Sequence, residues 1–131
     1  MATLHTIKLT NTEAVLKCYI TDANGGNVDI SLANNLTAPT QTWSNNSPVV
    51  SIAELYWGLK VGKQLDVTRL ITAANNEVHS HYYLVNSGYY KFEGFVDNVY
   101  ADKDIRLVFD GPGHMIIKFR KTSGWNTGNV N

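Results

Sequence analysis

The stretch "SPVVSIAELYWGL", residues 47 to 59, decides how the rest of the chain is read. Ile52, Leu55, Tyr56 and Leu59 recur at the spacing of one helical face. Ser51 and Glu54 have the form of a capping box, in which hydroxyl and carboxylate satisfy the free amides at a helix start. Alone, this is about one and a half turns of helix. Read as a strand, it needs an irregularity. Val50 and Ile52 then point one way, and Leu55 and Trp57 join that face only through a bulge or a change of face. The rest of the chain favours strand.

On the C-terminal side, Ile105, Leu107 and Phe109 alternate with Arg106 and Val108, and Met115, Ile117 and Phe119 alternate with Ile116, Lys118 and Arg120. Period two is the signature of a half-buried strand. Between these runs lies "DGPGH", residues 110 to 114, where two glycines tolerate positive φ and a proline fixes its own. The local physics predicts a hairpin turn there, not a substrate-cradling loop. Residues 4–9 and 14–21 are two further strands, with Thr10–Glu13 a hairpin between them. The run 27–32 follows Asn24-Gly25-Gly26, a strong turn signal. Further runs cover 64–71, 78–85 and 89–96, the last two split by Asn86-Ser87-Gly88. The pairs Asn34-Asn35, Asn45-Asn46 and Asn75-Asn76 mark turns, because asparagine bonds to nearby backbone and tolerates left-handed geometry.

About eight to ten short strands at this spacing predict an all-β antiparallel sandwich of jelly-roll or immunoglobulin-like size. The 131 residues amount to one domain, placed at 1–122, with 123–131 a flexible or docking tail in which Trp125 is a candidate anchor, either on its own domain or on a neighbour. A chain of this length buries roughly two-thirds of its unfolded surface, enough to fold without staples. Cys18 is the only cysteine, which excludes an intrachain disulfide. Neither an export signal nor an apolar run long enough for a membrane span is present, so the expectation is a protein made and used without one.

Eleven basic and eleven acidic residues cancel. Nucleic-acid binders carry a basic excess to displace counterions, so nucleic acid is not an expected partner. The local cluster Lys118, Arg120, Lys121 is the solvent face of a strand.

Chemistry-bearing residues are sparse. His79 and His81 form an H-x-H on a strand, which puts both rings on one face, near enough to share an ion. A third ligand has to come from His5, His114, Asp97 or a symmetry mate, and spacing supplies none, so no metal is expected. Glu93, Asp97, Asp102 and Asp104 contain the raw material for a carboxylate pair. The aspartates flank a turn, however, where backbone bonding explains them. There is no nucleophile elbow and no phosphate-binding glycine loop, and Cys18 sits in an apolar alternation. The expectation is a protein that is not an enzyme and uses no cofactor. Tyr82, Tyr83, Tyr89, Tyr90, Phe92 and Phe95 crowd two neighbouring strands and put aromatic rings on both faces. Tyrosines left outside the core favour binding surfaces.

The opening "HTIKLTNTEAVLK" and the closing "GYYKFEGFVDNVYADKDIRLVFDGPGHMIIKFRKTSGW" resemble small virion structural proteins of tailed bacteriophages, of the T4-like type of marine cyanobacteria. The likeness runs through His5–Lys8, Glu13–Val15, Val50, Ile52, Leu55, Trp57, Gly88, Phe92 and Gly94. It continues through Gly111, Gly113, Ile116, Arg120, Lys121, Gly124 and Trp125. This resemblance implies a β-sandwich built into a virus particle, made in the host bacterial cytoplasm, with no catalytic residues. Within that class a capsid decoration or cement protein is expected. Its partners would be other virion proteins, chiefly the major capsid protein, and further copies of itself. The expected contact residues are Trp43, Trp57, Tyr83, Tyr89 and Trp125. The alternatives are a neck, tail or fibre-associated protein and a carbohydrate-binding module for host attachment.

Overall fold

The computed structural model describes residues 2–39, 41–43, 48–71, 78–92, 100–122 and 125–127; at 42, 43, 78, 126 and 127 it describes the backbone. Asn45-Asn46, Asn75-Asn76, Glu93, Gly94, Phe95, Asp97 and Gly124 lie outside the described residues. The strands, in chain order, are β1 (Ala2–Leu9), β2 (Glu13–Ile20), β3 (Gly26–Ile30), β4 (Gln41–Trp43), β5 (Val50–Leu59) and β6 (Gln64–Leu70). They continue with β7 (Val78–Val85), β8 (Ser87–Lys91), β9 (Ile105–Phe109), β10 (Gly113–Lys121) and β11 (Trp125–Thr127). One short helix, α1 (Leu32–Asn35), follows β3.

All pairings between these strands are antiparallel. One sheet runs β1-β2-β10-β5-β8, a second β3-β9-β6-β7, and β4 pairs with β11 apart from both. With β1, β4 and β11 set aside, the remaining strands have jelly-roll connectivity, the double Greek key that closes two sheets over one core. Ala14, Leu16, Cys18, Met115, Ile117, Phe119, Ile52 and Leu55 face Val28, Ile30, Leu65, Val67, Ile105, Leu107 and Phe109 in a single buried cluster. The expected all-β sandwich is what the chain forms.

Residues 50–59 are strand, and the required irregularity is a bulge at Ala53. Ile52 pairs with Phe119 and Glu54 with Lys118, which leaves Ala53 as the extra residue. Val50 and Ile52 thereby share the inner face with Leu55 and Trp57, all buried. The residues that resembled a capping box go elsewhere: Ser51 is buried, and Glu54 accepts a hydrogen bond from the Tyr56 hydroxyl (2.6 Å). The hydrophobic requirement of a shared inner face overrides the local helical spacing.

The reversal at 110–113 corrects its sequence reading. It is not a hairpin: β9 belongs to the four-stranded sheet and β10 to the five-stranded one, so the chain arches between layers. The same holds for the links β2–β3, β5–β6 and β7–β8. These arches gather at one end and interlock there. Gly25, at φ +75°, lies so close to the Phe109 carbonyl that a Cβ would fall 2.0 Å from its oxygen, and the Lys60 amide donates to the Pro112 carbonyl (3.0 Å). The β1–β2 link is a true hairpin, in which the Thr10 hydroxyl accepts from the amides of Thr12 and Glu13.

A second correction concerns residues 31–35. The strand stops at Ile30, and Asn34-Asn35 lie in α1. Ser31 Oγ accepts from the Asn34 amide (3.1 Å), Asn35 Oδ1 from the Ser31 amide (2.8 Å) and Asp104 Oδ1 from the Leu32 amide (3.0 Å). These side chains satisfy helix-start amides that have no intrahelical partner.

Candidate functional site

The edge where β7 and β8 face each other across the layers is closed by rings. Trp57 and Tyr90 lie 5.2 Å apart, Tyr90 and Phe92 5.8 Å, Phe92 and Tyr82 5.2 Å, and Tyr82 and His81 5.5 Å. His81 then meets His79 at 5.0 Å, edge to face, and His79 meets Tyr100 at 5.1 Å. Each contact lies within the distance at which aromatic pairs attract beyond simple area burial. Strand alternation sets which rings face out. Leu65 and Leu84 pair on the buried face, so Tyr83, one position away and paired with Asp66, stands on the outer face of the four-stranded sheet, 66 % exposed. Tyr89 stands on the outer face of the five-stranded sheet, 64 % exposed and stacked on Tyr56 at 5.8 Å. Val85, Tyr90 and Tyr100 add further exposed area on the same side.

The expected contact residues therefore divide. Tyr83 and Tyr89 are displayed. Trp57 is buried at 9 % exposure, because the Ala53 bulge turns it inward, and its indole donates to the Val85 carbonyl (3.0 Å). It holds β5 to the end of β7 and presents no surface. Trp125 anchors the tail onto its own domain, since its indole donates to the Val49 carbonyl (3.0 Å) and β11 pairs with β4. Trp43 pairs with Trp125 in that ladder, and its ring lies outside the described side chains.

Beneath Trp125 lies a polar site that sequence reasoning took for solvent-facing. Lys121 is buried; its ammonium donates to the Thr10 carbonyl (2.8 Å) and to Gln41, and sits 4.6 Å from the Trp125 ring centre. Burial pushes this lysine down to about 8, because leaving water penalises the charged form. Lys121 stands at a position where β10 alternation turns inward, which is the signal that marked it. Arg69 is a second buried cation, donating to the carbonyls of Lys103 (2.8 Å) and Val50 (2.9 Å) and so joining the two sheets.

The outer face of the five-stranded sheet carries charge near β1. Lys118 lies 3.4 Å from both Glu13 and Glu54, and Lys8 pairs with Glu13. Hydrogen bonds from Lys8 and then Lys118 hold the Glu13 carboxyl below its usual range. The Tyr56 hydroxyl, then Lys118, lowers Glu54. Burial alone would lower Lys118, but its bonds to the two glutamates outweigh that and hold it above its usual value.

The remaining candidates are placed as follows. His79 and His81 do come together, His81 being the extra residue of a bulge opposite Val67 and Thr68. Among the described residues no third His, Cys, Asp or Glu joins them. His5 instead stacks on Tyr19, and His114 lies over Gly58 at the arch end. Asp104 caps α1, and Asp102 lies 4.0 Å from its neighbour Lys103. The Cys18 thiol is buried and pushed up to about 12, so it is not a nucleophile near neutral pH. Among the described residues no helix is long and apolar enough to cross a membrane. No protein-family model, curated protein or solved structure matches this chain.

Proposed function

We propose that this chain is a non-enzymatic structural component of a virus particle, and within that class a decoration or cement protein on the head of a tailed bacteriophage. The observation that carries the reading is that Tyr83, Val85, Tyr89, Tyr90 and Tyr100, on or against the edge strands β7 and β8, are all exposed, with Tyr83 and Tyr89 on opposite outer faces. Exposed apolar side chains grouped this way mark contact surfaces, whereas scattered ones mean little. The resemblance to virion proteins points to the partner: the major capsid protein, with further copies of this chain around a symmetry axis. The fold is compatible, since jelly rolls recur in viral capsid domains, though a fold alone assigns no function. Burying about 1,000 Å² or more across neighbouring capsomers would raise the cost of opening the shell.

Immunogold labelling of intact particles tests the location. Gold spread over heads supports decoration, and gold confined to neck, tail or fibres moves the protein there. Absence from intact and disrupted particles alike overturns the virion reading. The role is tested by the double variant Tyr83→Ser/Tyr90→Ser, which should stay folded yet bind heads at least about tenfold more weakly. Unchanged retention on heads would remove this edge from the interface.

A further inference from the structure

On the outer side of the five-stranded sheet, the interlocked arches leave a groove of about 480 Å³ lined by Gly58, Leu59, Val61, Asn86, Ser87 and His114. This is within the roughly 300–1,000 Å³ of small-molecule sites. Strand register builds it. His114, Gly58 and Ser87 stand side by side in one row across β10, β5 and β8. A Cβ on Gly58 would come within 2.5 Å of the His114 ring, so the imidazole lies across the β5 backbone where a larger residue would exclude it. Asn86 forms the lip. It holds φ +59°, and its carbonyl accepts the Leu59 amide (2.8 Å), which fixes the turn and leaves its side chain exposed. Asparagine tolerates the left-handed region, which suits it to this turn.

The lining selects a ligand class. Asn86, Ser87 and His114 offer an amide, a hydroxyl and an imidazole, all able to donate and accept. Leu59 and Val61 supply an aliphatic wall, and Val61 is 91 % exposed, a large apolar side chain left open to solvent. One row further along the same face, Tyr56 and Tyr89 pair across strands with rings 23° from parallel. Among the described residues no Asp, Glu, Lys or Arg lines the groove, which favours a neutral ligand over a phosphate, a carboxylate or an ammonium. The fitting ligand is neutral, carries several hydroxyls and shows a C–H face to apolar or aromatic side chains. We propose that this groove binds a neutral hexopyranose, free or at the end of a glycan, with Asn86, Ser87 and His114 bonding its hydroxyls and Tyr89 flanking its apolar face.

The proposal does not rest on the virion reading, and a failure of head labelling leaves it standing. It is tested by following backbone amide resonances of the full chain during titration with methyl glycosides of glucose, galactose, mannose and N-acetylglucosamine. The same sugars are then presented at the ends of soluble oligosaccharides. Shifts centred on Gly58, Asn86, Ser87 and His114 support the site; shifts with oligosaccharides only assign it to glycan ends, and shifts with both assign it to the sugar itself. His114→Ala and Asn86→Gly, the latter keeping the left-handed lip, should each weaken binding about tenfold while core resonances stay in place. The proposal is overturned if none of these sugars moves those amides, or if the shifts persist unchanged in both variants.

Discussion

The two lateral edges of this sandwich are closed by different physics. On the β1 side the closure is polar: Thr10 ties the hairpin through backbone amides, and Lys8, Glu13, Lys118 and Glu54 alternate in sign across the strands. Among the described residues the large apolar side chain exposed there is Ile7, the extra residue of a bulge. On the β7–β8 side a chain of aromatic contacts runs from Trp57 to Tyr100, and several of its rings remain partly open. Exposed ion pairs contribute little to stability, because water solvates the separated charges almost as well. Aromatic contacts act through buried area, so the rings that hold β7 against β8 are continuous with the rings that face outward. One edge is closed by charge pairs, and the other combines cohesion with exposed rings, the proposed contact surface.

The largest test of that contrast compares Trp57→Ala with Ile7→Ala. Trp57 fills core volume and donates a buried hydrogen bond, so its removal should cost about 3–5 kcal/mol. Ile7 is more than half exposed, and its loss should cost no more than about 0.5 kcal/mol. Urea unfolding followed by tyrosine fluorescence and far-UV dichroism reads both. Equal costs would mean that β1 is as much a part of the core as β5, and the contrast between the edges would fail.

On the β1 side Lys121 is buried under Trp125, and this gives that side a pH response of its own. The folded value of Lys121, about 8, lies below that of a lysine in an unfolded chain. Between those two values the unfolded chain binds more protons than the folded one, so the free energy of unfolding should rise as pH is raised through that window. The fall from the ordinary lysine value to about 8 corresponds to a gain on the order of 3 kcal/mol across that window. Comparison with Lys121→Met isolates it from tyrosine ionisation: the advantage of the wild type should grow from pH 7 to pH 10. A parallel response in the two proteins would show that Lys121 remains fully hydrated.

How far the chain was legible follows from the range of each interaction. Alternation in β2, β9 and β10 stands in the sequence because each strand buries one face by itself, whereas residues 50–59 carry helical spacing of their own and were favoured as strand only by the runs around them. Turn chemistry at Asp110–Gly113 signals a reversal, but whether the next strand joins the same sheet depends on pairing with residues far away in the chain. The hairpin reading failed there. β4 and β11 are too short for a period to show. Tyr83 and Tyr89 were found from aromatic crowding on both faces of neighbouring strands. Trp57 was counted among the contact residues although the bulge that the strand reading required already turned it inward, where it is buried. The groove at the arch end was not legible: His114 was read as part of a turn at 110–114 and Asn86 as part of the turn at 86–88, and they meet Gly58 only through two arches and a shared strand row.

The smallest expected effect is the most discriminating for the polar edge. Glu54 titrates below its ordinary range in the folded chain, so its contribution is present above the ordinary carboxylate value and is lost as pH falls through the lower folded value. Glu54→Gln keeps an acceptor for the Tyr56 hydroxyl and removes only the charge facing Lys118. At neutral pH and low salt it should cost about 0.5 kcal/mol or less. The difference from the wild type should vanish in about 1 M salt, where charges are screened within about 3 Å. If the cost instead exceeded about 2 kcal/mol and survived salt, the glutamate–lysine row would be holding the sheet as firmly as the rings do. The asymmetry that favours the β7–β8 edge as the proposed contact surface would then rest on exposure alone, with no difference in how the two edges cohere.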